Sequence, residues 1–490
     1  MIRTIITQDA EVDDQNSLKH FLFYTNEVEL QGIVQTSSRF HWRGRKGLKM
    51  IPGKDYSTKG TSFEKPFRWT GTEWMQEVLD AYELDYPNLS VHDQRYPSAQ
   101  YLRSITKIGN VDAVSDVSVS TEGSLLIKKR MLDQDERKLY VQAWGGMNTI
   151  ARALMDVEEE CKERPDWPEI KKAVSEKVVI LACGEQDTSY RDYIAEEWPS
   201  LQTVIAVQPH SYSYFWYLMP ESESKDTMKA DFMKAEIVNG KSAVMWNYCT
   251  WMDGHYYTGE EERSQFGTNP NISTEWFGAR MAGITDIHPY DFISEGDSPT
   301  FFGILDWGLR TTDDFSYGGF SGRYSRSFEE TNSKGEVLNL WKAEEDAFTG
   351  YDGKEVKTDS MWRYVADIQH DFAARIDWTV RNRYEDAEHK PELQIKEGYD
   401  LTAKAGETLT LHPLIVSKDH RKVSFSARIY AEAGSSCSKE AIIIVNPQEV
   451  SLQIPLSAKP QDTIHVILCA EKEGHYRLKQ YRQLIVTVVE

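Results

Sequence analysis

The sequence predicts an α/β domain with a mostly parallel sheet and flanking helices, followed by an all-β immunoglobulin-like sandwich. Three observations predict it. Strand and helix patterns alternate up to about residue 380, as a parallel sheet covered on both faces requires. Residues 178–183, Val-Val-Ile-Leu-Ala-Cys, form an unbroken apolar run of the kind that suits a strand buried on both sides. Beyond a charged stretch at 382–391 the pattern turns into short β runs at regular spacing. The expected division is an α/β domain over 1–385, a linker at 382–392 and a sandwich over 393–490.

The apolar pair Ile5-Ile6 ends a first strand, and 17–22 carry apolar residues at helical spacing. Residues 28–36 read as a second strand, which completes a β-α-β unit. A Gly/Lys/Arg-rich loop at 43–60 follows. Helices are expected at 74–82, where Trp74, Val78, Leu79 and Tyr82 share a face, and at 96–108. Residues 124–127 and 139–144 read as strand ends. The latter opens into Gly145-Gly146-Met147-Asn148-Thr149 and a helix at 150–161. After the strand at 178–183 come the turn Gly184-Glu185-Gln186-Asp187-Thr188, a helix, and a strand at 203–207. Residues 211–280 are aromatic-rich and irregular, more insertion than repeat. A loop at 294–299 precedes a helix at 300–309, and a helix at 362–381 closes the domain. In the tail, 408–411, 423–427, 441–445, 463–468 and 484–488 read as strands.

Composition narrows the partners. In 490 residues, 77 acidic against 56 basic side chains leave a net charge of −21, which argues against nucleic acid and anionic membranes. No apolar run is long enough to span a bilayer. Met1-Ile2-Arg3 runs straight into the first strand, so no signal peptide is read, although a mature fragment of an exported protein would look the same. Cys161, Cys183, Cys249, Cys437 and Cys469 lack CxxC spacing and read as buried free thiols.

The chemistry concentrates in the first turn. Asp9, Glu11, Asp13 and Asp14 crowd the end of the first strand, where ligands bind in open α/β sheets. Two unit charges about 4 Å apart repel by roughly 4 kcal/mol at a partly buried site, and a helix N-terminus offsets only about 0.3–1 kcal/mol per charge. Two readings follow: Asp13 or Asp14 caps the helix while the others face water, or the cluster holds a divalent cation. The hard oxygen ligands then favour calcium. An EF-hand is excluded, since Asp14 stands where its glycine belongs and His20 where its glutamate belongs.

The acidic turn, Gly145-Gly146-Met147-Asn148-Thr149 and Glu295-Gly296-Asp297-Ser298-Pro299 together resemble the nucleoside hydrolase superfamily. With Trp144-Gly145-Gly146, Tyr317-Gly318-Gly319-Phe320-Ser321-Gly322-Arg323-Tyr324 and the terminal Tyr481 to Val488, the chain resembles the cellulose-binding, nucleoside-hydrolase-like family of bacterial and fungal proteins. That resemblance implies an α/β domain joined to an Ig-like one. It implies that Asp9, Asp14 and Asp297 ligate calcium, that Asn148 adds a backbone carbonyl, and that Asp13 is a general base. The sequence departs from the superfamily where Thr7 replaces the first aspartate of its Asp-x-Asp-Pro-Gly-x-Asp-Asp motif and Ala10-Glu11 replaces Pro-Gly. Gly296 stands where a histidine precedes the late aspartate, and the ribose-gripping asparagines have no clear match.

The expected chemistry is hydrolysis of an N-ribosyl or other glycosyl bond through an oxocarbenium-like transition state, on a carbohydrate or nucleoside-like small molecule. Gln186 and Asp187 are candidates for holding sugar hydroxyls, or equally an Asx-type turn. Glu295 is a candidate substrate-binding residue or general acid, against the reading of a solvated loop residue. His41, His210, His255 and His288 fall in loops with no pairing that singles one out. Arg323 reads as a buried pairing residue or a binding one. Trp42, Trp216, Trp246 and Trp251 could stack on sugars, though most tryptophans are core. The alternative functions are a non-catalytic cellulose- or carbohydrate-binding protein, and an interaction module in which calcium only staples the fold.

Overall fold

The computed structural model describes residues 1–47, 63–205, 212–259, 287–418, 421–446 and 449–490. The chain divides into two compact units. The first comprises Met1–Met219, Met228–Ile304 and Arg326–Ala343, the second Pro220–Thr227, Leu305–Ser325 and Glu344–Glu490. These units do not coincide with a division at 385. The helix expected to close the α/β domain, observed as Val365–Trp378, lies in the second unit. There Asp367 accepts hydrogen bonds from Lys479 Nζ (2.6 Å) and the Tyr481 hydroxyl (2.5 Å), which tie the helix to the strand Leu478–Val489.

The first unit is built on strands β1 (Ile2–Gln8), β2 (Val28–Gln35), β3 (Thr106–Ile108), β4 (Leu139–Ala143), β5 (Val178–Ala182) and β6 (Gln202–Ile205). Their spatial order is β3-β2-β1-β4-β5-β6, all parallel, continued by Leu340 to Lys342 beside β6. Helices α1 (Val12–Leu22), α2 (Trp74–His92), α3 (Ala99–Ile105), α4 (Glu122–Met131), α5 (Asn148–Cys161) and α6 (Trp167–Lys177) make the crossovers. Strands β4 and β5 are buried along their whole length, as their apolar runs demand. Their side chains Val141, Ala143, Val178 and Ile180 share one core with Ile150, Leu154 and Val157 of α5.

Residues 124–127, read as a strand end, belong instead to α4. A reciprocal capping box decides it: Thr121 Oγ1 accepts from the Ser124 N–H (3.1 Å) and Ser124 Oγ from the Thr121 N–H (2.9 Å). Helix α2 runs ten residues past its expected end at 82, through an internal Pro87, and the helix expected at 300–309 shrinks to Pro299–Phe302. The strand expected at 203–207 is β6, with 206 and 207 outside the described residues; much of the irregular 211–280 stretch, and His210, also lie outside them.

The second unit holds the expected all-β region. One sheet orders Asp400–Lys404, Leu478–Val489, Thr463–Lys472 and Val423–Ile429. The other orders Thr408–Leu411, Val450–Gln453 and Ile442–Val445, and a separate pair joins Glu392–Ile395 to Pro413–Val416. Alternate residues Ile464, Val466, Leu468, Leu484, Val486 and Val488 meet Val450, Leu452 and Leu393 in a single core. Arg323 is a pairing residue here: its Nε donates to Asp346 (2.8 Å), whose other oxygen accepts from Tyr430.

Replacing Thr121 by alanine is expected to cost about 1 kcal/mol by removing the cap of α4. The check is a lower urea midpoint at unchanged slope; an unmoved midpoint would contradict the capping box.

Candidate metal centre

Strand register assembles the site. Thr7 pairs with Val34 and Ala143, and Ala143 with Ala182, so the residues just past these strands lie side by side at the carboxyl edge of the sheet. Chain order reverses between β1 and β4, and a crevice opens at such a switch point. Asp9 follows β1 there, Trp144-Gly145-Gly146 follows β4, and Cys183 follows β5.

The turn after β1 folds back on itself. Ala10 takes φ = 69°, a left-handed conformation that side-chain-bearing residues seldom adopt. This lets the Asp9 N–H reach Asp14 Oδ1 at 2.9 Å and the Gln15 amide reach the Ala10 carbonyl at 3.0 Å. Glu11 occupies the N-cap position of α1 without capping it through its side chain. Asp13 and Asp14 therefore ride on the first turn of α1, and Asp297 joins them from the loop before Pro299–Phe302. Asp13, Asp14 and Asp297 offer oxygens that all lie within 4.8 Å of one another; Asp9, Glu11 and His41 form a second such set.

The cluster is carboxylate-rich and nearly dry. Asp9, Asp14 and Asp297 are at most 1 % exposed and Glu11 7 %, while Asp13 alone is partly exposed. Both oxygens of Asp9, both of Asp297 and Oδ1 of Asp13 are buried with no hydrogen-bond donor. Burial pushes the Glu11 carboxyl up to about 8 against the opposing Arg68 charge, and that of Asp13 up to about 7 with help from Asp9. Burial, then the charges of Asp9 for Asp14 and of Asp13 for Asp297, raise these two well above the carboxylate range. Arg68 Nη1 donates to Glu11 Oε1 at 2.9 Å. Buried carboxylate oxygens without donors need a cation or protons. Their hard-oxygen character fits calcium.

Two glycines make room for this. A Cβ on Gly145 would lie 2.7 Å from Asp9 Cβ, and one on Gly296 would lie 2.9 Å from Asp13 Oδ2. The residue that replaces the superfamily's histidine is thus pressed against the candidate base, with no room for a side chain unless Asp13 moves.

Not every residue expected at the site serves there. Glu295 is fully buried and points into the scaffold, where its carboxylate meets His20 Nδ1 (2.6 Å), the Tyr248 hydroxyl and Ser298 Oγ (2.6 Å). Both of its oxygens are engaged by these bonds, unlike the solvated loop residue that was the other reading. Asp187 is also buried. It closes a turn onto Ser189 N–H and Oγ (3.0 Å each), the Asx-type turn that was the other reading of this residue. Gln186 donates to the Trp144 carbonyl, again a scaffold role, while its Oε1 has no donor.

Asn148 opens α5, where a carbonyl runs along the helix axis toward the fourth residue on and not out to an ion. Its side chain knits Thr36 (2.6 Å), Ser37 (2.9 Å) and the Asn110 carbonyl (2.9 Å). His41, Arg68 and Cys183 are site residues that sequence reasoning missed or left among equals. His41 lies 4.0 Å from both Asp9 and Glu11, and Cys183 Sγ lies 3.2 Å from the Gly296 carbonyl. Only the position of Cys183, directly after the cleanest strand, could have flagged it. His255 and His288 pair instead with Asp253 (3.2 Å) and Asp291 (3.7 Å) in partly exposed loops. Trp42, Trp216 and Trp251 are buried, which leaves Trp246, at 57 % exposure, as the available platform of the four.

An open parallel sheet with an acidic turn at its switch point, followed by an all-β region, defines a nucleoside-hydrolase-like class of protein. Residues 3–324 match the family described as cellulose-binding Sde182, nucleoside hydrolase-like domain, and 416–488 match the cellulose-binding protein Sde0182, C-terminal domain. The chain belongs to this cellulose-binding Sde182, nucleoside-hydrolase-like family. Its fold is shared by a nucleoside hydrolase-related hypothetical protein from Saccharophagus degradans that is associated with carbohydrate metabolism. That structure is 22 % identical, with 99 % of each chain covered and a TM-score of 0.70. A plant nucleoside hydrolase matches at 10 % identity over 76 % of this chain and 98 % of its own, with a TM-score of 0.31. No curated protein matches. Among the described residues no helix is long and apolar enough to cross a membrane.

If the cluster holds a cation, calcium at a hundredfold excess over its Kd should stabilise the first unit by about 2.7 kcal/mol. A melting temperature that rises with calcium and falls with EDTA, and does neither in Asp297→Asn, is the expected result.

Proposed function

We propose that the protein is a calcium-dependent glycosidase that hydrolyses an N-ribosyl or other glycosyl bond, with Asp13 as general base. The observation that carries this reading is the contrast among the carboxylates. Asp13 alone is partly open to solvent, while Asp9, Asp14 and Asp297 are closed off around it, Asp9 and Asp297 with neither carboxylate oxygen accepting a hydrogen bond. The closed-off carboxylates suit metal ligation, and Asp13, which borders Asp14 and Asp297 but keeps an open side, suits proton transfer.

Calcium bound there would supply positive charge and a template for sugar hydroxyls and the attacking water. Asp13 would accept that water's proton. Ser294 Oγ, 3.4 Å from Asp13 Oδ2, and the absent side chain at Gly296 keep its carboxylate in place and reachable. An oxocarbenium-like transition state needs nearby negative charge, which Asp13 also provides. Arg68 holds Glu11 to one side, so that Glu11 serves the site's charge balance rather than the reaction.

A second reading, a carbohydrate-binding protein without turnover, is favoured by one specific observation. Glu295, the residue expected to protonate a leaving group, is consumed by the bonds to His20, Tyr248 and Ser298. The cellulose-binding description of the family points the same way.

Turnover of nucleosides and of nitrophenyl ribosides and cello-oligosaccharides separates the two. Asp13→Asn is expected to lower kcat by about 10²–10⁴-fold. Wild-type rates in that variant would refute the base assignment. No turnover by the wild type, combined with retention of the full chain on insoluble cellulose, would establish the binding reading instead.

A further inference from the structure

The cluster carries more negative charge than one calcium ion answers. Five carboxylates, Asp9, Glu11, Asp13, Asp14 and Asp297, share the site. Arg68 offsets one charge and a single divalent cation two, so two remain in a nearly dry enclosure. Uncompensated buried charge costs several kcal/mol per ion. Two of these carboxylates, Asp9 and Glu11, group with His41 rather than with Asp13, Asp14 and Asp297.

We infer that Asp9, Glu11 and His41 form a second cation site, distinct in chemistry from the first, which binds a divalent transition ion such as zinc, manganese or cobalt. His41 Nδ1 lies 4.0 Å from Asp9 Oδ2 and 4.0 Å from Glu11 Oε2, and His41 and Asp9 are fully buried. These separations are too long for hydrogen bonds. They match the spacing of ligands on one metal, since atoms bonded at about 2.0–2.2 Å stand roughly 3–4 Å apart. The independent sign of a ligand is Asp9 itself, wholly buried with neither oxygen accepting a hydrogen bond. A ring nitrogen with two carboxylates suits borderline transition ions, whereas the all-oxygen set of Asp13, Asp14 and Asp297 suits calcium. Asp9 stands between the sets and can serve both, as bridging carboxylates do in two-metal hydrolytic sites. The charge argument rests on the calcium reading above; the geometry of the Asp9–Glu11–His41 set does not.

Cobalt is the probe. The full chain, stripped of metal and then saturated with calcium, is titrated with Co²⁺ and followed by calorimetry and by visible ligand-field absorption. One calcium and one cobalt equivalent per chain are expected. His41→Asn should abolish the cobalt band and its equivalent while the calcium equivalent persists. Glu11→Gln, a smaller change in a buried site, should weaken cobalt at least tenfold while the calcium equivalent persists. The inference falls if cobalt fails to bind beside calcium, which would mean that protons neutralise the surplus, or if the band survives unaltered in both variants. A band that depends on His41 with no calcium equivalent would uphold this site and overturn the calcium reading.

Discussion

Buried negative charge governs this structure. Five carboxylates converge where chain order reverses at the carboxyl edge of a parallel sheet, and Arg68 answers one of them, Glu11, with a direct hydrogen bond. Charges so enclosed cannot be left to water, so everything around them either compensates or keeps its distance. Gly145 and Gly296 yield space to the carboxylates, and Ala10 accepts a strained conformation so that the turn can close. Such strain persists only where the surroundings over-determine it, and it gathers at functional sites.

A second polar layer supports the first. Glu295 binds His20 of α1, Tyr248 and Ser298, and Asn16 of α1 reaches the carbonyls of Cys249 and Ser294. These bonds fix the loop that carries Asp297 against the helix that carries Asp13 and Asp14. On the other side, Asn148 locks the start of α5 to Thr36 and Ser37 in the loop after β2, which brings His41. Glu295 thus holds the carboxylates in position. A buried network of this kind, with both Glu295 oxygens bonded, favours one geometry for the loop and helix it joins.

Much of the fold was legible because period and composition are local. The unbroken apolar run of β5 and the alternating residues of the strand Thr463–Lys472 carry their own burial in their pattern. The stretch at 124–127 shows the limit: a short apolar run fits strand or helix equally, and the cap between Ser124 and Thr121, three residues before it, settled it. The extent of the compact units was not legible either. The helix Val365–Trp378 reads like any α/β helix, but its burial partners come from residues more than a hundred positions later.

The sequence by itself determined that acidic residues would end the first strand, that a Gly-Gly turn and a late aspartate would accompany them, and that β structure would follow. Those features depend on residue type and near neighbours. Tertiary structure alone decided which carboxylates are closed in and which stays open, that Glu295, Asn148 and Asp187 face the scaffold, and that His41 rather than another loop histidine meets Asp9. A side chain's solvent access and its partners are set by elements tens to hundreds of residues away, and spacing along the chain holds no record of them.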